Sequence, residues 1–271
     1  MIRSLRGVHG PPIAAFSWFL AAGLSSSALR AQEGPEVEWE KALGSAEADE
    51  ARDLERTADG GFVLAGWTGG DGGLGEKPVL AYLVKLQGDG SVLWERTFQK
   101  GIHNVANAVI EAAEGGYVLA GMTKTADGRL WNAHLVKTDS EGNRLWEETY
   151  PLLGYSVAAD LAPTRDGGYV LVGNTAGDGA DEQFVLWTDG EGKGRTYSLS
   201  ARGDVANAVL ALKDGTILVA GTLRQQGDGF LRELRTGGGE IWTKEYPGTD
   251  RNGILGLKAA ADGSLLLAGY T

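Results

Sequence analysis

The chain has 271 residues, with 25 Lys and Arg against 36 Asp and Glu, a formal net charge of −11 and no cysteine. The acidic balance argues against nucleic acid or an anionic membrane surface as a partner. Without cysteine there is no disulfide framework, no thiolate metal site and no cysteine nucleophile.

The first thirty residues differ from the rest. Arg3 and Arg6 precede an apolar stretch from Ile13 to Leu24, and Ser25-Ser26-Ser27-Ala28-Leu29-Arg30-Ala31 follows. A positive start, an apolar middle and a small-residue tail read as a secretory signal peptide over residues 1–31. Cleavage fits after Ala28 or after Ala31. The apolar stretch is short of the roughly twenty residues that span a bilayer, so no membrane insertion is expected once the leader is removed. The expected location is secreted, periplasmic or cell-surface. Beyond residue 31 the chain carries 22 basic and 36 acidic residues, a formal charge of −14.

Residues 36–271 repeat. Asp59-Gly60-Gly61-Phe62-Val63-Leu64-Ala65-Gly66 recurs as variants beginning at Glu114, Asp166, Asp214 and Asp262, at spacings of 55, 52, 48 and 48. A period near fifty, built of strands and turns, predicts an all-β fold. The architecture expected is a β-propeller of four-stranded antiparallel blades, with about five repeats present. The second repeat shows the scheme. Val105 to Ala112 reads as strand a, Glu114-Gly115-Gly116 as a hairpin turn, and Tyr117 to Thr123 as strand b. A longer loop spans Lys124 to Asn132. Ala133 to Thr138 reads as strand c, Asp139 to Gly142 as a second tight turn, and Asn143 to Tyr150 as strand d.

Strand d has its own signature: Trp39-x-Lys41-x-Leu43, Trp94-x-Arg96-x-Phe98, Trp146-x-Glu148-x-Tyr150 and Trp242-x-Lys244-x-Tyr246. Alternate residues share one face of a strand, so each tryptophan is expected to staple its blade to the next. The third repeat has Thr196-Tyr197 in that place, which predicts a weaker contact. The chain opens with a d-type strand at Val37 to Leu43 and ends with an a strand and a b strand, leaving the last blade incomplete. The opening strand is expected to complete that blade from the other end of the chain. No c strand remains for it, and unpaired strand edges are costly. The chain is therefore expected to be truncated from a longer protein, the alternative being imperfect closure of five repeats.

Because strands alternate direction, the tight a–b and c–d turns share one face. The longer b–c and d–a connections share the other, and they vary between repeats. Variable loops on a rigid scaffold are where binding is normally placed, so the long-loop face is the candidate site. Ligand-binding candidates there are Trp67, Met122 and Asn174 (with Thr222 and Tyr270 at the same repeat position) and, from the loops, Trp131, Tyr155 and His134, with His103 beside them. Asp49, Asn104, Ser156, Asp204 and Asn252 stand ten residues before each glycine turn. They form a candidate polar ring at the channel mouth, or else cap the d–a turns. Asp178-x-x-Asp181-Glu182 is the nearest approach to a calcium loop; solvated turn aspartates are the alternative, and no cofactor is expected. No nucleophile elbow, metal-binding helix motif, phosphate loop or dinucleotide fingerprint is present.

The Asp-Gly-Gly-aromatic-aliphatic-aliphatic-Ala-Gly-x-Thr phrase resembles a broad group of secreted bacterial β-propeller repeat proteins. That resemblance covers residues 36–271 and implies an exported interaction or surface module. Gly90-Ser91-Val92-Leu93-Trp94 and Gly142-Asn143-Arg144-Leu145-Trp146 are also similar to the end of the quinoprotein-type repeat. The acidic position before the tryptophan does not align, so no quinone or calcium residue carries over. Function is therefore expected to be non-enzymatic binding of protein or carbohydrate through the long-loop face. Two alternatives stand beside it: a quinone-dependent or polysaccharide-acting enzyme, and a structural segment of a larger surface protein. Oligomeric state is not legible.

Overall fold

A computed structural model describes residues 2–5, 37–70, 77–152, 154–177, 180–198, 203–223, 227–248 and 251–271. The chain divides into a unit at residues 1–43 and a larger one at residues 44–271. In the first, β1 (Ile2–Leu5) and β2 (Val37–Lys41) form a two-stranded antiparallel sheet. The apolar stretch from Ile13 to Leu24 lies outside the described residues.

The larger unit is built of repeated sheets. The first blade is β3 (Asp49–Arg56), β4 (Phe62–Thr68), β5 (Leu80–Leu86) and β6 (Val92–Phe98). The second is β7 (His103–Glu111), β8 (Tyr117–Lys124), β9 (Trp131–Thr138) and β10 (Arg144–Tyr150). The third is β11 (Tyr155–Pro163), β12 (Tyr169–Gly177), β13 (Ala180–Thr188) and β14 (Gly194–Ser198). The fourth is β15 (Val205–Ala211), β16 (Ile217–Leu223), β17 (Asp228–Leu234) and β18 (Glu240–Tyr246). Each is a four-stranded antiparallel meander, and a two-stranded sheet of β19 (Gly253–Ala259) and β20 (Leu265–Tyr270) follows.

The repeated phrase has a physical cause at each end. Its turn glycine takes positive φ, +83° at Gly60 and +84° at Gly167, a region open to glycine without penalty. The neighbouring aspartate caps the turn, as where Gly61 N–H donates to Asp59. Its final glycine answers to crowding. Every first strand of a repeat carries a one-residue bulge, between Ala106 and Ala108 in β7 for example. The bulge drives a carbonyl at the opposite glycine, and a Cβ on Gly121, Gly173 or Gly221 would lie about 2 Å from the oxygen of Val105, Val157 or Val205.

Between blades, apolar residues interdigitate. Val63, Ala65 and Leu83 meet Val109, Leu119 and Val136. Leu135 meets Leu161, Leu171 and Leu186. The tryptophan staples form as the repeat pattern predicts. Trp94 lies 5.6 Å from Tyr117 and covers Gly142, while Trp146 lies 6.2 Å from Tyr169 and covers Gly192. Side chains at Thr196 and Tyr197 lie outside the described ones. Trp242 stays 37% exposed, because the sheet of β19 and β20 has no c–d turn to receive it. Trp146→Ala should therefore cost about 3 kcal/mol of stability and Trp242→Ala under about 1 kcal/mol, a difference that paired urea melts would read.

The opening d-type strand, β2, pairs with β1, with Lys41 opposite Ile2. One expectation changes. Strand c of the second repeat begins at Trp131, not Ala133, because Trp131 and Asn132 still pair with Lys124 and Thr123. The last sheet is incomplete, as the repeat count implies. On β20, Leu266 is 60% exposed, whereas its counterparts Val118, Val170 and Leu218 are buried between neighbouring blades.

Candidate functional site

The long-loop face is assembled from strand ends, and the candidate residues divide between surface and interior. His103, Trp131 and Tyr155 come together. The His103 and Trp131 rings stack at 5.9 Å, the Tyr155 ring tilts against Trp131 at 6.1 Å, and Lys124 Nζ sits 5.7 Å above the Trp131 ring. Tyr155 lies with its hydroxyl 3.6 Å from Met122 Sδ. Trp131 is only 8% exposed, whereas Tyr155 is 41% exposed and Leu130 46%. The tryptophan is thus the floor of this cluster and Tyr155 its outer surface; Leu130, the chain neighbour of Trp131, is also exposed. Trp131, His103 and Tyr155 all lie in strands.

His134 is also interior. Its Nε2 lies 3.4 Å from Glu147 Oε2, and Glu147 further receives Lys100 at 3.2 Å and Arg144 at 2.9 Å. The His134 contact, with the two cations, holds the Glu147 carboxyl down to about 2 despite partial burial. Tyr82 and Glu95 make the corresponding cross-strand pair in the first blade. This c-to-d pairing was legible only as a glutamate following tryptophan in Trp94-Glu95 and Trp146-Glu147. Trp67 donates its indole N–H to Glu50 within its own blade. Asn174 exchanges hydrogen bonds with the backbone of Ala206 in the next blade. Thr222 and Tyr270 line one cleft between the fourth and fifth repeats.

The five positions before the glycine turns act chiefly as fasteners. Asn104 is fully buried. It accepts from the Lys100 and Gly101 amides and the Thr123 hydroxyl, and donates to the Val79 and Gly101 carbonyls. Ser156, also buried, engages the Ala133 amide and the Trp131 and Tyr150 carbonyls. Asn252 accepts from Gly229, and Asp49 holds Ser45 and Thr68. Asp204 stands at the same repeat position, just before β15. The buried members Asn104, Ser156 and Asn252 each reach back to the preceding blade. Asp178 lies outside the described residues, as does the side chain of Asp181. Among the described residues no three His, Asp or Glu side chains gather to hold a metal ion.

A second polar series was missed by sequence reading. At the bulges, Asp53 accepts from Val109 N–H, Asn107 donates to the Ala158 carbonyl, Asp160 accepts from Val209 N–H and Asn207 donates to the Ile254 carbonyl, each at 2.8 Å. Carboxylate and amide alternate along four consecutive blade junctions. Burial pushes the Asp160 carboxyl up to about 7, against the pull of its two backbone donors; the nearby Asp53 adds to the rise, and Lys258 opposes it. Burial raises Asp53 as well. The signal was available: a polar residue inside an otherwise apolar strand, as in Val105-Ala106-Asn107-Ala108-Val109 and Val205-Ala206-Asn207-Ala208-Val209.

No protein-family model and no curated protein matches the sequence. Solved structures do. Endo-arabinase from Bacteroides thetaiotaomicron is 14% identical, with 84% of this chain and 90% of that chain covered and a TM-score of 0.50. Chaetomium thermophilum Sqt1, bound to the N-terminus of ribosomal protein L10, is 11% identical, with 88% and 59% covered and a TM-score of 0.54. The fold is a β-propeller of about five blades. A protein of unknown function from Bacteroides caccae is 15% identical, with 69% and 61% covered and a TM-score of 0.48. The propeller described here spans about three fifths of the length of these last two chains. At such identities the likeness is one of fold alone.

Proposed function

We propose that this propeller is an exported, non-enzymatic binding module that takes a protein or glycan on its long-loop face. The observation that carries the reading is the exposed Tyr155 against the buried Trp131–His103 stack, with Lys124 Nζ over the Trp131 ring and the exposed Leu130 next to Trp131 in the chain. An aromatic ring and an aliphatic side chain on a rigid, wedged floor contribute contact area at low entropic cost, as interface anchors do. Sqt1, which shares the fold, was solved bound to the N-terminus of another protein, which agrees with a protein partner. Export rests on residues 1–31.

Tyr155→Ala combined with Leu130→Ser should lower affinity at least tenfold for ligands selected from a glycan array or a displayed peptide library, without moving the melting temperature. Binding that survives both changes would remove this face from consideration. Sequencing the mature N-terminus from culture supernatant or periplasm should begin at Leu29 or Gln32; a retained Met1 in the exported fraction would refute leader removal.

A further inference from the structure

The fifth repeat departs from the others at one position with a structural consequence. Strand b of each repeat ends opposite a residue of strand a. The pairs are Glu50 with Trp67, Val105 with Met122, Val157 with Asn174, and Val205 with Thr222. In the fifth repeat the pair is Gly253 with Tyr270. The φ of Gly253 does not lie in the left-handed region, so the backbone does not demand glycine. Space does: a Cβ there would lie 2.2 Å from Thr222 Oγ1 and 2.9 Å from the Tyr270 ring. The Tyr270 ring and Thr222 take the space beside Gly253, and both line a cleft of about 480 Å³ between the two repeats. That volume falls within the range usual for small-molecule sites, about 300–1,000 Å³.

The walls of the cleft have a definite chemistry. Tyr270 and Leu255, both substantially exposed, present a ring face and an aliphatic face. Thr222 adds a hydroxyl, and it has no hydrogen-bond partner among the described residues. Asn207 spends its amide N–H on Ile254, which leaves its carbonyl oxygen as an acceptor toward the cleft. Arg251, from the loop between β18 and β19, is the one cation in the lining among the described residues and is exposed; no carboxylate among those residues pairs with it. A guanidinium fork suits a carboxylate held by two parallel hydrogen bonds. The hydroxyl and amide oxygen suit ligand hydroxyls, and the tyrosine face suits the C–H face of a pyranose ring.

We propose that this cleft is a binding site for a carboxylate-bearing sugar, a hexuronic acid or the uronate end of an oligosaccharide. The site is independent of the Tyr155 surface, which belongs to the second and third blades.

The test is calorimetric titration of the full chain at neutral pH with galacturonate and glucuronate, and with galactose and glucose as neutral counterparts of the same shape. A uronate should bind with a dissociation constant of about 1 mM or tighter, and the neutral sugars at least tenfold more weakly. Arg251→Gln should weaken uronate binding at least tenfold with the melting temperature unchanged, and Arg251→Lys should restore part of it. Gly253→Ala, whose Cβ would press on Thr222 Oγ1 and the Tyr270 ring, should weaken uronate binding at least tenfold by displacing two walls of the cleft; if it fails to fold, the exposed Arg251 variants decide. Equal binding of acid and neutral sugars, no uronate heat at 10 mM, or uronate affinity untouched by Arg251→Gln would each overturn the site. Tyr155→Ala with Leu130→Ser should leave uronate binding intact, which separates this site from the other face.

Discussion

Gly173→Ala should destabilise the propeller by about 3 kcal/mol, near the upper end of the usual overpacking penalty. A Cβ at Gly173 would lie 2.0 Å from the Val157 carbonyl oxygen, 2.9 Å from Ala158 Cα and 2.9 Å from the Phe184 ring. Two of those neighbours belong to the bulged backbone of β11 and cannot rotate away. The aromatic ring is fully enclosed in the core shared by the second and third blades. Relief would require straightening the bulge, and the bulge delivers Asp160 to the fourth blade. Gly167→Ala is the control: its φ is +84° but nothing lies within 4 Å, so only the cost of a left-handed backbone applies, about 1 kcal/mol. Urea midpoints of the two variants should differ clearly. If Gly173→Ala cost no more than Gly167→Ala, the close approach would not be the reason for glycine at the end of the repeated phrase.

Asp160→Asn should stabilise the protein at pH 8 by about 1–3 kcal/mol and change little at pH 4.5. The Asp160 carboxyl is raised from 3.8 to about 7, so the folded chain holds its proton more tightly than the unfolded chain does. Linkage then requires stability to fall as pH rises from about 4 to about 7 and to level off above. The stabilising state is the protonated one, complete below about pH 4. Asparagine keeps an oxygen for Val209 N–H, gives up the acceptor that Asp160 offers Leu161 N–H, carries no charge and removes this slope. Groups facing the site include Asp53, which adds to the rise, and Lys258, which opposes it and is itself paired with Glu55 at 3.0 Å. The measurement is a series of urea melts of both proteins between pH 4.5 and 8.5. Parallel curves would show that Asp160 ionises freely and that the junction is not buried as described.

The two effects share a cause that sequence reading reached only halfway. The recurrence of glycine after Val-Leu-Ala was plain, and so were the period near fifty, the turn aspartates and the tryptophan two residues before a charged one on strand d. Each is local: a turn needs positive φ, a doubly covered strand needs continuous apolar side chains, and a rim tryptophan needs a partner one repeat away. The bulge was not legible, because a one-residue insertion in a ladder leaves the apolar pattern nearly intact. With it went the alternation of Asp53, Asn107, Asp160 and Asn207. Asn107 and Asn207 stand as isolated polar residues in apolar strands, and Asp53 as one charge among several in β3, until the next blade places a backbone group opposite each one.

The candidate site divides along the same line. That the variable loops face one way followed from strand direction alone, and Tyr155 and Met122 do meet there. Which aromatic residues reach solvent did not follow, since Trp131 and Tyr155 each open a strand, in neighbouring blades, and only the packing of His103, Lys124 and Tyr155 around Trp131 buries the tryptophan. Asn104 and Ser156 pointed equally to turn fastening and to a channel-mouth ring, and burial against the preceding blade selects the first.

Local chemistry repeated five times determined by itself that the chain forms wedged antiparallel sheets with one face of long loops. Only the tertiary structure decided which side chains of that face remain open and where a cleft lies between the fourth and fifth repeats. Those outcomes depend on what the neighbouring blade places opposite each residue, and a single repeat carries no record of its neighbour.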